Sequence, residues 1–388
     1  MKICIIGVGY VGLSSALLFS QKHEVVAYDI DKEKIALLKN KESPIHEKDI
    51  EEFLLRKDIN FRATDNFNDA LDHATFSIIC VPTNFDNKKN RFETEIVEKT
   101  IENILSINPN CGIVIKSTVP IGFSKEIQEK QSNKNIFHVP EFLREGNSLF
   151  DSLYPSRLII GSRSDLALMY VDLVQECILK NNLDIILTNN DEAEAIKLFS
   201  NTYLAMRVAF FNELDSFSQF KGLNSLDIIN GLGQDPRIGK EYNNPSFGFG
   251  GYCLPKDVQQ ASSNMKDIQS NVIDAITLSN ENRKKFLANL IMNTSASIIG
   301  VYRLTMKQGS DNFRDSAIKD IIKILSANNR EIIVYEPLLK EAISDQFTLV
   351  KDFKEFVTNS ELILVNRMDD EISPYKDKIF TRDLFREN

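Results

Sequence analysis

The chain has 388 residues, more than one compact hydrophobic core usually holds, so its length predicts two or three domains. Hydrophobic residues make up 43% and charged residues 26%, and no apolar run approaches the roughly 20 residues that a membrane-spanning helix needs. The formal net charge of −9 comes without a basic stripe, which argues against nucleic acid as a partner and requires locally placed cations for any anionic ligand.

The first residues and the cysteines indicate the cellular compartment in which the protein is expected. Residues 2–7 form an apolar strand at once, without the pattern of a signal peptide, so we expect a cytoplasmic protein. The five cysteines are scattered and include no Cys-x-x-Cys pair, so the sequence predicts neither a disulfide framework nor a metal site. Among Cys4, Cys80, Cys111, Cys177 and Cys253, only Cys253 stands among glycines.

A glycine motif follows the first predicted strand. The strand leads into Gly7-Val-Gly9-Tyr-Val-Gly12 and a helical pattern, and the next strand ends in Asp29, 20 residues after Gly9. A strand, this glycine spacing, a helix and an acid at that distance are together typical of a dinucleotide-binding site. Gly7 would make the tight turn, Gly9 would admit the pyrophosphate, and Asp29 would bind the adenosine ribose diol, which favours NAD over NADP.

Strand-like and helix-like runs alternate through the first half, which predicts a parallel, doubly wound sheet. Ligands bind such a sheet at the carboxyl ends of its strands. The loops there supply Thr83, Thr118, Glu141 and Glu145. The alternative is a turn or cap residue for each threonine and a solvated surface pair for the acids. The predicted strands cover residues 2–7, 25–29, 76–81, 112–117, 136–139, 158–161 and 183–187, and the helices cover 13–21, 93–107, 122–130 and 165–179.

One long helix is predicted over residues 191–220, capped by Asn190 and ended by Gly222. At about 1.5 Å per residue it would be about 45 Å long, so we interpret it as a spine joining two domains and as a dimer surface. Lys197 and Asn201 are four residues apart and share one face, where both could donate hydrogen bonds to a developing oxyanion. The alternative is a surface lysine with a nearby amide.

The stretch of residues 247–257 holds Cys253 behind a glycine run. Pro255 suits the first position of a helix, and Lys256 puts a cation beside the sulfur. A cysteine at a helix N-terminus beside an ammonium group has a lowered pKa and reacts as the thiolate, so this sequence is typical of a nucleophile. The alternative is a buried structural cysteine in a glycine loop.

The remaining chain predicts a second, smaller α/β unit without a glycine fingerprint. Residues 231–246 are rich in turn residues and are expected to form a long loop that leads to the cysteine segment. The other predicted elements are helices over residues 272–292, 315–327 and 353–358 and strands over 297–304, 331–335 and 362–366.

Six blocks, in order and spread over nearly the whole chain, resemble the family of NAD-dependent nucleotide-sugar 6-dehydrogenases. They are Gly7-Val-Gly-Tyr-Val-Gly12, Ser117-Thr-Val-Pro120, Pro140-Glu-Phe-Leu-Arg-Glu-Gly146, Lys197-Leu-Phe-Ser-Asn201, Gly250-Gly-Tyr-Cys-Leu-Pro-Lys-Asp257 and residues 302–314. The resemblance implies an α/β fold with two Rossmann-like parallel-sheet domains joined by a long central helix. It also implies dimerisation through the middle region. The implied regions are an NAD-binding domain at 1–190, a central helical region with the cysteine loop at 191–295, and a UDP-sugar-binding domain at 296–388.

The implied activity is oxidation of the C6 alcohol of UDP-glucose to a carboxylate, with reduction of two NAD⁺. The Cys253 thiolate would add to the C6 aldehyde as a thiohemiacetal, and a second oxidation would give a thioester that water hydrolyses. Lys197 and Asn201 would stabilise the oxyanion. Water and protons would be handled by Asp257, Thr118 and Glu141.

The resemblance also implies two sets of binding residues. Arg237 would reach the sugar from a partner subunit, Tyr242 and Ser246 would contact the diphosphate, and residues 142–144 would line the substrate with their backbone. The cofactor set is Gly7, Gly9, Tyr10, Val11, Gly12, Asp29, Lys34, Thr83, Thr118, Glu145, Lys256 and Arg314. The substrate set is Glu141, Phe142, Leu143, Arg144, Glu145, Lys197, Asn201, Arg237, Tyr242, Ser246, Gly250 and Lys307.

Three alternative functions stay open at this point. A sibling enzyme acting on GDP-mannose or a UDP-N-acetylhexosamine would share the machinery, and the block of residues 307–314 favours UDP-glucose. A two-electron dehydrogenase of the hydroxyacid type would leave Cys253 inert and yield one NADH per product. A regulatory nucleotide-binding protein would retain the glycine fingerprint without needing Lys197, Asn201 and Cys253 together.

Overall fold

The computed structural model describes residues 1–268, 270–304, 316–339 and 345–386. Contacts divide the chain into two compact units, residues 1–199 and 200–388, each of which is described by itself below. Two of the expected ligand contacts, Lys307 and Arg314, lie outside the described residues. The three regions expected from the sequence stay a prediction.

The first unit is built on a parallel sheet whose strand order is β3-β2-β1-β4-β7-β8. A second parallel pair joins β9 to β10, and a short hairpin joins β5 to β6. The strands are β1 (Lys2–Ile6), β2 (Glu24–Tyr28), β3 (Phe61–Thr64), β4 (Phe76–Ile79), β5 (Phe85–Asp86), β6 (Arg91–Phe92), β7 (Gly112–Ile115), β8 (Ile136–His138), β9 (Arg157–Ile160) and β10 (Asp184–Leu187).

The central strands of this sheet are buried on both faces. Along β1, Ile3 and Ile5 join one hydrophobic cluster, whereas Cys4 and Ile6 join a second cluster on the opposite face. Successive strand side chains point to opposite faces, so a continuous apolar run fits a strand that helices cover on both sides. The helices are α1 (Tyr10–Ser20), α2 (Lys32–Lys39), α3 (Lys48–Leu54), α4 (Phe67–Leu71), α5 (Glu95–Ile107), α6 (Phe123–Lys130), α7 (Ser148–Leu153) and α8 (Asp165–Cys177).

Helix α9 (Asn190–Lys221) is the predicted long helix, and the boundary between the two units falls within it. It ends before Gly222, whose φ of +67° is the left-handed conformation typical of a glycine after a helix. The predicted role of Asn190 as its cap is wrong. The Asn190 side chain instead accepts a hydrogen bond from the backbone N–H of His138, because the end of β8 needs a partner there.

The second unit holds a parallel sheet of strand order β13-β12-β11-β14-β15 within its described residues. Along β11, Ile299 and Val301 pack into one cluster and Tyr302 into another, as in the first sheet. The strands are β11 (Ile298–Tyr302), β12 (Glu331–Tyr335), β13 (Thr348–Leu349), β14 (Leu362–Val365) and β15 (Ile379–Thr381). The helices are α10 (Ser225–Gly233), α11 (Cys253–Asn264), α12 (Asn271–Met292), α13 (Ala317–Ala327) and α14 (Phe353–Asn359), with a short 3₁₀ helix at Ser373–Lys378.

The predicted fold class is confirmed, because both units carry parallel sheets with helices between their strands. Two local predictions are wrong. Residues 225–233 form α10, although the stretch from Gly231 was expected to be a loop. Helix α11 begins at Cys253, so Pro255 occupies its third position rather than its first; a proline is tolerated there because the first N–H groups of a helix have no internal partner. Within the described ranges, none of the helices combines the length and the apolar character needed to cross a bilayer.

Candidate active site

The glycine turn of the first unit leaves room for a ligand at the start of α1. A Cβ on Gly7 would lie 2.7 Å from the carbonyl oxygen of Cys80, and one on Gly12 would lie 1.7 Å from the carbonyl oxygen of Gly7. Among the residues that the structure describes, a Cβ on Gly9 would meet nothing within 4 Å, and none of their side chains caps the helix there. Tyr10 and Val11 open α1, and the N-terminus of this helix carries the positive end of its dipole, so the turn is suited to a pyrophosphate.

Asp29 lies directly after β2 and is tied to this turn. Its carboxylate accepts hydrogen bonds of 2.8 Å from the Val8 N–H and 2.9 Å from the Asp31 N–H. Both bonds fix the acid beside the glycine turn, where a ribose diol would lie in a dinucleotide site. Lys34 stands in the first turn of α2, half-buried.

The predicted threonines lie together at the carboxyl ends of β4 and β7. The Thr83 hydroxyl donates a hydrogen bond of 2.6 Å to the Thr118 carbonyl, and the Thr83 side chain is buried. Ser117 ties the same two loops through a bond of 2.7 Å from its hydroxyl to the Val81 carbonyl. The structure thus brings the two predicted loops into contact.

Glu141 and Lys197 form a buried ion pair in the first unit. The Lys197 ammonium donates 2.8 Å to the Glu141 carboxylate and 2.7 Å to the Glu141 carbonyl, and the second carboxylate oxygen accepts from the Leu143 N–H. Burial alone would raise the pKa of Glu141, but Lys197 and that N–H outweigh it and hold the pKa below its usual value. Glu141 is therefore ionised, and its buried side chain excludes the solvated-surface alternative for this acid but not for Glu145.

Two side chains of the loop after Glu141 have partners within the first unit. The Arg144 side chain turns to Asp151, with 2.7 Å between guanidinium and carboxylate, and Phe142 lies under the Arg157 guanidinium at 3.9 Å. Glu145 is half-buried in the same loop.

In the second unit, a chain of polar contacts runs from Asn201 to the first turns of α11, the helix that begins at Cys253. The Asn201 amide donates a hydrogen bond of 2.5 Å to Asp257, and the Lys256 ammonium donates 2.9 Å to the other carboxylate oxygen. Asp257 is fully buried. Burial would lower the pKa of Lys256, but the carboxylate of Asp257 and the sulfur of Cys253 outweigh it and raise that pKa. Lys256 is thus a cation close to the half-buried sulfur.

The remaining predicted contacts of the second unit differ in their exposure to solvent. The Arg237 guanidinium is exposed and pairs with Asp235 at 2.6 Å. Tyr242 is exposed and has a φ of +60°, an uncommon conformation for a bulky residue. The Ser246 hydroxyl is buried and donates 3.0 Å to the Gly248 carbonyl. Gly250 is half-buried ahead of α11.

Three residues near Glu141 escaped the sequence analysis. Lys116 follows β7, His138 ends β8, and Tyr170 lies in α8. Burial lowers the pKa of His138 to about 3, and the charges of Lys197 and Lys116 act in the same direction. Burial also lowers the pKa of Lys116. The sequence did hold one indication of Lys116, namely its position between an apolar strand and the Ser117-Thr118 loop.

Comparisons with known proteins cover almost the whole chain. Profiles of the UDP-glucose/GDP-mannose dehydrogenase family match at residues 1–177 for the NAD binding domain, 191–282 for the central domain and 300–384 for the UDP binding domain. These three matches follow the same order as the fold units and the motifs.

Full-length relatives and solved structures are also similar. The UDP-glucose 6-dehydrogenase of Campylobacter jejuni is 50% identical and that of Streptococcus pneumoniae 43% identical, each over 99% of both chains. A UDP-glucose dehydrogenase structure from Pyrobaculum islandicum has a TM-score of 0.88 at 23% identity, covering 99% of this chain and 95% of that one. The structural likeness supports the fold.

Proposed function

The chain belongs to the UDP-glucose/GDP-mannose dehydrogenase family, and on that premise we propose that it oxidises UDP-glucose at C6 to UDP-glucuronate. It is an NAD-dependent oxidoreductase. The observation that carries the choice of substrate is the 50% and 43% identity, over 99% of the chain, to relatives named UDP-glucose 6-dehydrogenase.

The residues of the glycine turn fit the cofactor. A Cβ on Gly9 would meet no described atom within 4 Å, the N-terminus of α1 carries the positive end of the helix dipole, and the Asp29 carboxylate is tied to the turn through the Val8 N–H. Bound NAD⁺ supplies the hydride acceptor for each of the two oxidations. Thr83, Thr118 and Glu145 would hold its nicotinamide end.

Cys253 is the proposed nucleophile. The Lys256 ammonium lies near its sulfur, and the sulfur sits at the first position of α11, where the helix dipole favours a negative charge. The thiolate forms a carbon–sulfur bond to the C6 aldehyde, giving a thiohemiacetal whose second oxidation yields a thioester. Water then breaks the carbon–sulfur bond, and the thiolate is regenerated with release of the carboxylate.

Lys197 and Asn201 are the proposed oxyanion donors. They lie one turn apart in α9, and each already donates to a carboxylate, Lys197 to Glu141 and Asn201 to Asp257. These bonds fix the donors before substrate binds, which is what electrostatic stabilisation of a transition state requires. The ionised Glu141 is the proposed acceptor for the proton of the hydrolytic water, held by Thr118.

The assembly we propose is a homodimer formed through α9. Tyr203, Phe210 and Phe217 are spaced seven residues apart and are each more than half exposed, and Phe220 is three-quarters exposed. Large aromatic side chains in one exposed stripe are typical of a protein–protein interface. The exposed Arg237 is then available to a partner's substrate.

A panel of sugar nucleotides tests the substrate. We expect UDP-glucose to give the highest kcat/KM with NAD⁺, and GDP-mannose and the UDP-N-acetylhexosamines to give values at least about a hundredfold lower, since a polar pocket discriminates strongly between sugars. NADH formation at 340 nm is the readout, together with chromatography of the product. A clearly higher kcat/KM for GDP-mannose would show that GDP-mannose, and not UDP-glucose, is the substrate.

A further inference from the structure

The segment of residues 246–249 leads to Cys253 and is buried in the second unit. It belongs to neither a helix nor a strand, so side chains must supply the hydrogen bonds that its backbone needs. Phe247 packs into the cluster that holds one face of β11, and Phe249 packs with Val258 of α11. The segment therefore links the core of the second sheet to the helix that begins at the cysteine.

The Asn280 side chain of α12 binds both backbone groups of Phe249. Its amide oxygen accepts a hydrogen bond of 2.8 Å from the Phe249 N–H, and its amide nitrogen donates one of 2.8 Å to the Phe249 carbonyl. Two residues that face each other in an antiparallel sheet exchange the same pair of bonds. Asn280 is buried, which strengthens both bonds. One side chain thus takes the place of a neighbouring strand.

Gly248 allows Asn280 to come this close. A Cβ at position 248 would lie 2.8 Å from the Asn280 side-chain oxygen and 3.1 Å from the Cβ of Ala317. The φ of Gly248 is +154°, a conformation that glycine adopts more readily than other residues. The fit of Asn280 against the segment therefore requires a glycine at this position.

Ser246, at the start of the segment, is held in a similar way. Its N–H donates a hydrogen bond of 2.8 Å to the Asn212 side chain of α9, and its carbonyl accepts one of 3.1 Å from the Arg283 guanidinium of α12. Arg283 is fixed in turn by a salt bridge of 2.6 Å to Asp215. Of these anchoring side chains, Asn280 binds the residue nearest to Cys253 along the chain.

A short link that contains two glycines joins Phe249 to Cys253. It consists of Gly250, Gly251 and Tyr252, and Gly251 has a φ of +82°. Glycines permit many backbone conformations, so the path of such a link is defined by what fixes its two ends. Helix α11 fixes the end at Cys253, and the Asn280 amide fixes the end at Phe249.

We propose that Asn280 is a positioning residue for Cys253, holding the sulfur where it can capture the C6 aldehyde; this inference rests on the proposed function. Asn280 acts through the backbone of Phe249 and takes no part in bond making. A displacement of about 1 Å at a reacting centre can cost about 10²-fold in rate. Loss of its two bonds should therefore slow formation of the carbon–sulfur bond more than the first hydride transfer, which does not use the sulfur.

The ratio of NADH to UDP-glucuronate tests this role, because it does not depend on how much of a variant is folded. In the parent, the thiolate captures each aldehyde, and the ratio is two. In Asn280→Ala, we expect part of the aldehyde to leave before the carbon–sulfur bond forms, which yields one NADH without acid. Escape of half of the aldehyde raises the ratio to about three. Trapping with a hydroxylamine and chromatography measure the escaped aldehyde. A ratio of two in this variant would overturn the proposal.

A second variant and a matched control accompany Asn280→Ala. Gly248→Ala disturbs the same contact from the side of the segment, should raise the ratio as well, and remains informative if Asn280→Ala does not fold. Arg330→Met is the control, because Arg330 donates to the carbonyls of Met292 and Ala296 at the other end of α12. It should lower the urea midpoint but leave the ratio at two.

A readout without substrate separates this inference from the proposed function. Bromotrifluoroacetone places a trifluoromethyl group on the Cys253 sulfur, and Cys253→Ala identifies the ¹⁹F resonance by its loss. We expect one narrow line in the parent and in Arg330→Met, and a broadened or split line in Asn280→Ala and Gly248→Ala. A parent that forms no NADH from UDP-glucose would refute the proposed function alone. An unchanged ¹⁹F line in both Asn280→Ala and Gly248→Ala would overturn the positioning role.

Discussion

Asn201 donates a hydrogen bond of 2.5 Å to the fully buried carboxylate of Asp257. The opposite oxygen of that carboxylate accepts from Lys256, the cation beside Cys253. An amide and an ammonium therefore fix one acid, and the acid fixes both donors in return. This arrangement ties a residue of the long helix to the start of α11.

Replacement of Asn201 tests the donor role proposed for it. We expect Asn201→Ala to lower kcat about 10²–10³-fold with a smaller change in KM, because the lost bond is one that strengthens as the oxyanion forms. Steady-state kinetics with UDP-glucose gives both constants. The matched control is Asn224→Ala, which removes the exposed N-cap of α10 and should cost about 0.5–2 kcal/mol of stability without lowering kcat. An equal loss of kcat in both variants would contradict the role.

The buried pair of Lys197 and Glu141 predicts a stability change. Lys197→Met leaves a buried carboxylate that, within the described residues, keeps one hydrogen bond from the Leu143 N–H, and should destabilise the protein by about 3–5 kcal/mol at pH 7 in urea unfolding. The pKa of Glu141 is lowered in the folded protein, so this contribution is present above the ordinary carboxyl pKa and is lost as the pH falls through the folded value.

A second substitution, at Glu141, is the control for the ion pair of Lys197 and Glu141. Adding Glu141→Gln to Lys197→Met removes the stranded charge and should recover part of the loss, whereas Lys125→Met, at an exposed site, should change stability by less than about 0.5 kcal/mol. A double variant as unstable as the sum of its two single variants would show that the two side chains do not interact.

The buried His138 should make the free energy of unfolding depend on pH. Its folded pKa of about 3 lies far below the unfolded value of 6.5, so between these values the unfolded chain binds the extra proton and stability falls as the pH falls. From pH 7 to pH 5 this residue should cost about 1.5–2 kcal/mol. Urea unfolding at both values should show a smaller drop for His138→Phe than for the parent.

The aromatic stripe of α9 predicts the oligomeric state. We expect the parent to sediment at twice its chain mass, and Phe217→Glu to shift it toward the monomer because the carboxylate would be buried without a partner at the interface. Leu55→Glu places the same charge on another apolar residue that is more than half exposed, in the first unit, and should sediment like the parent. Sedimentation of the parent as a monomer would refute the dimer.

The sequence predicted the parts of the fold that depend on local pattern. The glycine spacing and Asp29 were sufficient for the nucleotide turn because both are fixed by the backbone geometry of one strand–turn–helix unit. The end of α9 was predictable because Gly222 is needed for its left-handed conformation. Strand positions followed from apolar runs buried on two faces.

Other features depend on distant contacts that no local pattern contains. Helix α10 was missed because Gly231 and Gly233 disfavour a helix, and its N-cap Asn224 and buried Ile229 outweigh them. Asn190 was predicted to cap α9, but it bonds to His138, 52 residues away. In the candidate site, the types of the residues were predictable, whereas the pairing of Lys197 with Glu141 and of Asn201 with Asp257 required the fold.

The central claim is that Cys253 carries a double oxidation, and the most direct test is the yield of NADH and acid per UDP-glucose consumed. For the parent we expect two NADH per UDP-glucuronate, and for Cys253→Ala no acid above background, because without the thiolate the second hydride has no tetrahedral adduct to leave from. One NADH per product in the parent, or acid formed at the parental rate by Cys253→Ala, would contradict the account.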